Sequence, residues 1–315
     1  MSATHPSTTV TGTMYALGAM IIVGSSAAVL AALGDYPTFG GQALRYAGAA
    51  IALFALLWFL KVAHLRCTRR ELGRLTLLGS TGLAAFNVCY VEAVKNADPA
   101  AVGAIIGGVP VVLAIADPIA RRHSPSARLV TAAMVVTAGV AIMQGFGGGS
   151  LIGLLWALGA LAAEVAFTLL AVPLLPKFGP LRVSAYASAL AVPLLLVSGV
   201  IADGAGFMPM PDRTQIIALL YLSVVVTAVA FVMWYTAISR LGADKAGLCA
   251  GVAPVSAVAA AWVLATGEPG SADIIGAILV GVGVVVGLAP SRRRKPDGPW
   301  LPPVTVPDRP SQPKR

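Results

Sequence analysis

The sequence predicts an all-α polytopic membrane protein, with ten transmembrane helices arranged as a 5+5 inverted repeat. Three observations predict it. Of 315 residues, 57% are apolar and 11% charged, and mean hydropathy is +0.85; a soluble domain carries about 25% charged residues. The apolar residues fall into ten runs, most near the roughly 20 residues a helix needs to cross a bilayer. Finally, Gly103-x3-Gly107-x2-Pro110-Val111 is written again, 144 residues on, as Gly247-x3-Gly251-x2-Pro254-Val255.

The crossings fall at 14–33, 40–62, 73–95, 98–120, 127–143, 150–175, 180–201, 214–238, 243–265 and 271–289. Strand alternation is absent, and backbone groups in hydrocarbon must be satisfied internally, so these are helices rather than barrel strands.

Residues 1–13 hold no Lys or Arg, so a signal n-region is missing and the first helix is expected to be retained. That helix carries Tyr15-Ala-Leu-Gly-Ala-Met20, which returns in the sixth as Trp156-Ala-Leu-Gly-Ala-Leu161. Arg45 enters the second crossing at the depth where Glu92 leaves the third, which suggests an Arg45–Glu92 ion pair. Snorkelling to the interface and a substrate-carboxylate site are the alternatives. Asn87 lies deep in the third crossing, where an amide serves as interhelical glue or as a substrate contact. Ser25, Ser26 and Thr227 raise the same choice.

In the fourth and ninth crossings, the glycines four apart let a neighbouring backbone approach. The proline three residues later removes a backbone hydrogen bond. Two copies at matched depth favour a paired bending or rocking element: Gly103, Gly107 and Pro110 with Gly247, Gly251 and Pro254. Asp117 and Arg121 have the i,i+4 spacing of a local surface pair. Gly145-Phe-Gly-Gly-Gly-Ser150 reads as a short flexible join between the copies.

Glu164 is the sharpest single residue. It stands 14 positions into the sixth crossing, near the bilayer centre, where a carboxylate costs about 3 kcal/mol on insertion scales. Such a group should face the bundle interior or a cavity, binding an amine or cation, or taking up and releasing a proton; the alternative is a protonated Glu hydrogen-bonded to a neighbouring helix. Its counterpart in the first copy is Val23, so the acid is unmatched. Tyr90 and Trp234 occupy equivalent positions, with Tyr235 adjacent; they read as interface belts or as cavity walls. Gly281-x-Gly283-x3-Gly287, within the tenth crossing, follows no strand and is a packing face rather than a dinucleotide loop.

The net charge of +9 is not a nucleic-acid footprint once mapped onto the crossings. With the N-terminus cytoplasmic, 19 of the 22 Lys and Arg fall in inner segments, and only Lys95 and Arg213 fall in outer ones. That asymmetry predicts both termini inside. It also makes the repeat inverted, because five helices per copy turn the second copy over. Repeats are expected at 1–145 and 146–289. Residues 290–315, with Arg292-Arg293-Arg294-Lys295 and many prolines, read as a disordered cytoplasmic tail able to touch anionic lipid.

Three cysteines and three histidines have no metal-ligand spacing, and no nucleotide-binding or catalytic signature is present. Neither enzyme activity, cofactor nor metal is expected.

Several patterns together are similar to the EamA-type transporters of the drug/metabolite transporter superfamily. They are Pro37-x7-Arg45-Tyr46, the two Gly-x3-Gly-x2-Pro-Val segments, Phe86-x3-Tyr90-x2-Ala93, Phe231-x2-Trp234-Tyr235-x-Ala237, Gly267-Glu268-Pro269 and Gly276-x6-Gly283-Val284. The chain departs from a strict repeat where His123-Ser-Pro stands opposite Gly267-Glu268. The resemblance covers 14–289 and implies an inner-membrane carrier. It places Glu164, Asn87, Tyr90, Trp234 and the two proline segments around a central cavity. Members export amino acids, other small metabolites or drugs, and some import. The expected function is alternating-access export of amino acids or related metabolites, with a small organic solute, the bilayer and a proton as partners. A lipophilic-cation exporter is the alternative. A non-transporting scaffold or sensor is disfavoured by the intramembrane polar residues and the paired proline segments.

Overall fold

The computed structural model describes residues 6–63, 65–264 and 267–289. The basic tail, His5, His64 and the last residue of the ninth expected crossing lie outside the described residues. Ten helices are long and apolar enough to span a bilayer. They are α1 (Thr9–Ala31), α2 (Thr38–Phe59), α3 (Arg69–Asn96), α4 (Pro99–Ala120), α5 (Ala127–Gln144), α6 (Leu151–Leu169), α7 (Leu175–Gly206), α8 (Arg213–Leu241), α9 (Ala243–Val263) and α10 (Ser271–Leu288). Among the described residues there is no strand, only an isolated bridge between Ala97 and Gly149.

Capping chemistry sets several helix ends. Thr68 and Glu71 form a capping box at the start of α3, and Asp212 and Gln215 form one at the start of α8. Pro99 opens α4, where a missing N–H costs nothing. Several boundaries differ from the hydropathy reading; α7, for one, runs Leu175–Gly206 rather than 180–201. The helix whose spanning part is α1 begins at Pro6, ahead of the apolar run, and Gly12 within it lies close against the end of α8: a Cβ there would stand 2.8 Å from Leu241 Cγ. And α6 stops at Leu169, not 175, where Pro173 cannot continue the ladder. A kink at Gly179 (φ 71°) then precedes Pro180 in α7.

Four helices are interrupted within their length, in two sets 144 residues apart. In α3 a π turn runs Ser80–Ala85, and in α8 another runs Leu222–Val229. In α4 the helix breaks at Gly107–Gly108, and in α9 it tightens to a 3-10 turn at Cys249–Gly251. Each α4/α9 break lies just before its proline. The carbonyl of Gly107, exposed by the break, accepts the Thr137 hydroxyl of α5 at 3.1 Å.

The helices pack in a pattern that a 144-residue shift preserves. α2 packs on α7, α4 on α9 and α5 on α10, while α1 packs on α8 and α6 on α3. The α5–α10 contact is backbone to backbone. A Cβ on Gly139 would stand 2.7 Å from Gly276 O, and one on Gly276 would stand 2.5 Å from Gly139 O. With lipid as apolar as a side chain, such close approach is what holds helices together.

Basic residues gather where helix ends meet on one side. Lys177, at the start of α7, bonds both carboxylate oxygens of Glu71 at 2.7 Å. Arg182 reaches the Ala63 carbonyl, and Arg128 reaches the carbonyls of Gly287 and Ala289. On the opposite side, the join between α5 and α6 is pinned rather than free. Asp98 N and Gly148 O are 3.0 Å apart, Asp98 Oδ2 accepts Gly148 N at 2.7 Å, and Ser150 N donates to Asn96 O at 3.1 Å. Its glycines therefore serve close approach: a Cβ on Gly149 would stand 2.5 Å from Ala97 Cβ. This corrects the flexible join expected from composition.

Candidate functional site

Of the residues singled out in the sequence, Asn87, Glu164, Trp234 and Tyr235 lie around the junction of α2, α3, α6 and α8. Asn87 of α3 is buried; its Nδ2 donates to Leu83 O at 2.8 Å, inside the π turn, and faces Tyr46 Oη of α2 at 3.5 Å. Trp234 Nε1 donates to Thr168 Oγ1 at 3.3 Å, and Tyr235 Oη to Phe167 O at 3.4 Å, tying α8 to α6. Between these lie four rings in a chain. Tyr46 and Phe231 centroids are 6.4 Å apart, Phe231 and Phe167 4.8 Å, and Phe167 and Tyr235 5.1 Å. Such tilted contacts suit the aromatic quadrupole.

Glu164 lies one turn before Phe167 on α6. Its carboxylate is half-buried and within electrostatic range of Tyr235, as is Tyr46. Among the described residues it takes part in no ion pair or hydrogen bond. The acid–base pairs present are Lys95–Glu92, Arg121–Asp117 and Lys177–Glu71. An acid this deep without a basic partner is the chemical feature of the site: it can take a proton, or attract an amine that neighbouring aromatic faces also favour.

Two expectations about charged pairs are corrected. Arg45 and Glu92 are not joined. Glu92 Oε1 takes Lys95 Nζ of its own helix at 2.8 Å, while Arg45 Nε donates to Thr227 Oγ1 of α8 at 2.7 Å. The local i,i+3 partner costs less ordering than one reached across helices. Nor is Asp117 a surface group. It is 3% exposed, and while Oδ1 accepts Arg121 Nε at 2.9 Å, Oδ2 accepts the Asp244 N–H at 3.3 Å. It thus joins the end of α4 to the first turn of α9, where free N–H groups and the helix dipole favour an anion.

Tyr90 stands apart from the ring cluster. It is 42% exposed and stacks on Phe86 of its own helix, whereas its sequence counterpart Trp234 is 4% exposed. The glycine–proline segments pack on α4 and α5 rather than on the ring cluster. A Cβ on Gly103 would meet Gln144 at 2.6 Å, on Gly107 Val140 at 2.5 Å, on Gly247 Leu113 at 2.8 Å and on Gly251 Val136 at 2.3 Å. Pro110 and Pro254 follow the two breaks. A concavity of about 650 Å³ lies elsewhere, between 31–37 and 209–215 at the end opposite the basic residues.

Tyr46, Phe167, Thr168 and Phe231 were missed as site residues. Tyr46 and Phe231 sit inside motifs quoted above, beside Arg45 and before Trp234. Phe167 and Thr168 follow Glu164 at i+3 and i+4, the spacing that shares a helix face.

Fold and site define a polytopic α-helical membrane protein with a polar, aromatic-lined centre. The chain belongs to the EamA-like transporter family, whose profile matches residues 10–144 and again 151–288. It is 26% identical over 279 residues to the uncharacterized transporter YetK of Bacillus subtilis (strain 168), covering 84% of each chain. Its fold is similar to a crystal structure at 20% identity, with a TM-score of 0.75 over 90% of this chain and 98% of that one. The protein is therefore a membrane transporter.

Proposed function

We propose that this chain is a secondary carrier of the inner (plasma) membrane, with both termini cytoplasmic. It exports amino acids or related small metabolites by alternating access. Glu164 recognises the amine of the cargo or exchanges a proton for it. One observation carries this reading: a carboxylate deep in the bundle that is half-buried, beside four aromatic rings, and without an ion pair among the described residues. Intramembrane acids of this kind mark substrate or proton paths.

The two halves, 1–145 and 146–289, act as inverted copies that rock about α4 and α9. Support comes from the breaks at Gly107–Gly108 and Cys249–Gly251, from helix pairings unchanged by a 144-residue shift, and from the twofold family match. Sidedness rests on 19 of 22 basic residues falling in alternate connections or in the C-terminal tail.

Glu164→Gln in proteoliposomes tests the reading. Flux should be abolished, or continue without its dependence on a proton gradient, while the protein remains monodisperse. Wild-type flux with unchanged pH dependence would sink it. The aromatic rings favour a second reading, a lipophilic-cation exporter. Counterflow of dye cations against amino acids separates the two.

A further inference from the structure

The Arg45 guanidinium has no anionic partner among the described residues. Snorkelling would carry it to the interface, but it turns the other way, to the middle of α8. Nε donates to Thr227 Oγ1 at 2.7 Å, and Nη1 reaches Gln42 Oε1 at a long 3.4 Å. Thr227 is buried, and its own hydroxyl hydrogen is spent on Leu222 O at 2.8 Å, five residues back across the π turn. The hydroxyl can therefore only accept from Arg45. That contact fixes the Nε edge of the guanidinium and leaves the Nη2 side of the fork unengaged among the described residues. Five N–H donors in one plane match a carboxylate. Here two of them meet neutral groups and the guanidinium carbon stands 5.5 Å from the centre of the Tyr46 ring, so a ring face but no anion offsets the charge in a half-buried setting.

Along α8, Thr227 and Tyr235 are eight residues apart, about 12 Å of helix rise. Phe231 and Trp234 lie between them. Arg45 at the first level and Glu164 at the second thus stand beside the same helix, opposite in charge and separated by the ring cluster.

We infer that Arg45 is the anion-recognising group of the transport path, taking the carboxylate of the solute on its Nη edge. The cargo class is then a carboxylate-bearing amine: a zwitterion crossing this stretch meets a site for its carboxylate at one level and a site for its amine at the other. The inference rests on the exporter reading above and adds to it the second charge.

The full-length chain in proteoliposomes tests it with four probes. Leucine and phenylalanine are compared with isoamylamine and phenethylamine, which keep the side chain and amine but lack the carboxylate. Wild type should favour the amino acids. Arg45→Gln should lower amino-acid uptake about tenfold or more, the worth of one charge-assisted hydrogen bond, and leave amine uptake within about twofold. Arg45→Lys should recover part of the loss. Thr227→Val removes the anchor but not the charge, and should keep the preference for the amino acid. Equal loss of both solute classes in Arg45→Gln, or a preference erased in Thr227→Val as fully as in Arg45→Gln, would make Arg45 a clamp on α8 and overturn the inference. If Arg45→Gln does not fold, Arg45→Lys and Thr227→Val carry the comparison. Wild-type uptake without preference overturns the inference and leaves the exporter reading standing. Absence of flux for all four probes sinks the amino-acid reading and the Arg45 assignment with it.

Discussion

The two halves of the chain share their backbone events and differ in their chemistry. Each has a π turn in its third helix and a break in its fourth, and the two sets overlap when shifted by 144 residues. At those events the side chains diverge. Leu83 in the first π turn corresponds to Thr227 in the second, where the hydroxyl holds Arg45. Asn87 corresponds to Phe231, and Val23 to Glu164. The repeated elements thus carry the deformable parts of the bundle, and π turns and breaks are common where helices have work to do. The unrepeated residues carry charge and hydrogen-bonding capacity. On the proposed rocking of two inverted halves, such an arrangement would move symmetrically while recognising an asymmetric solute.

Glu164 gives the largest expected effect on this comparison. A double variant, Val23→Glu with Glu164→Val, moves the acid to the equivalent position of the first half. It should remain inactive in proteoliposome flux, because the ring cluster is built beside α6. Recovery of flux would mean that the halves are chemically interchangeable. Next come the breaks. Gly107→Val and Gly251→Val each force a branched side chain against α5 and should cost about 1–3 kcal/mol of stability in reversible unfolding from mixed micelles. Both should also abolish flux; loss in one alone would show that the two breaks have separate roles.

Asp117→Ala should cost about 2 kcal/mol, since it strips both Arg121 and the first turn of α9 of a charged acceptor. Its effect should exceed that of Asp117→Asn in the same assay. Thr227→Leu makes the second π turn resemble the first. It should cost only about 1 kcal/mol, because hydrogen bonds between membrane helices are individually modest. Smallest of all, Tyr90→Leu should change stability by less than about 0.5 kcal/mol, as expected of an exposed side chain away from the cluster. A larger loss would place Tyr90 with Trp234 as a wall of the site.

Much of this was legible in the sequence, and the gaps have physical causes. The ten crossings were readable because hydropathy over a bilayer's width is a local property. Their ends were less so: the first helix extends through Thr-rich residues to Pro6, and its Gly12 packs against Leu241, far along the chain. Glu164 and Asn87 stood out as polar residues in apolar runs. Phe167 and Phe231 did not, because an aromatic ring in a membrane helix reads the same whether it faces lipid or a partner. The Gly145–Ser150 join was misread because glycine permits both flexibility and close approach, and only the neighbouring Ala97 and Asp98 decide which.

By itself, the sequence determined an all-helical bundle of ten spans. It also marked the doubled motif and the charge asymmetry between alternate connections. Apolar length, glycine–proline spacing and charge placement are written along the chain, and hydrocarbon leaves a backbone no other way to satisfy itself. Only the tertiary structure decided which charges are paired. Glu92 goes to Lys95, Asp117 also reaches α9, Arg45 turns to Thr227, and Glu164 has no ion-pair partner among the described residues. Helix rotation settles those choices, and hydropathy does not encode rotation when lipid and core are equally apolar.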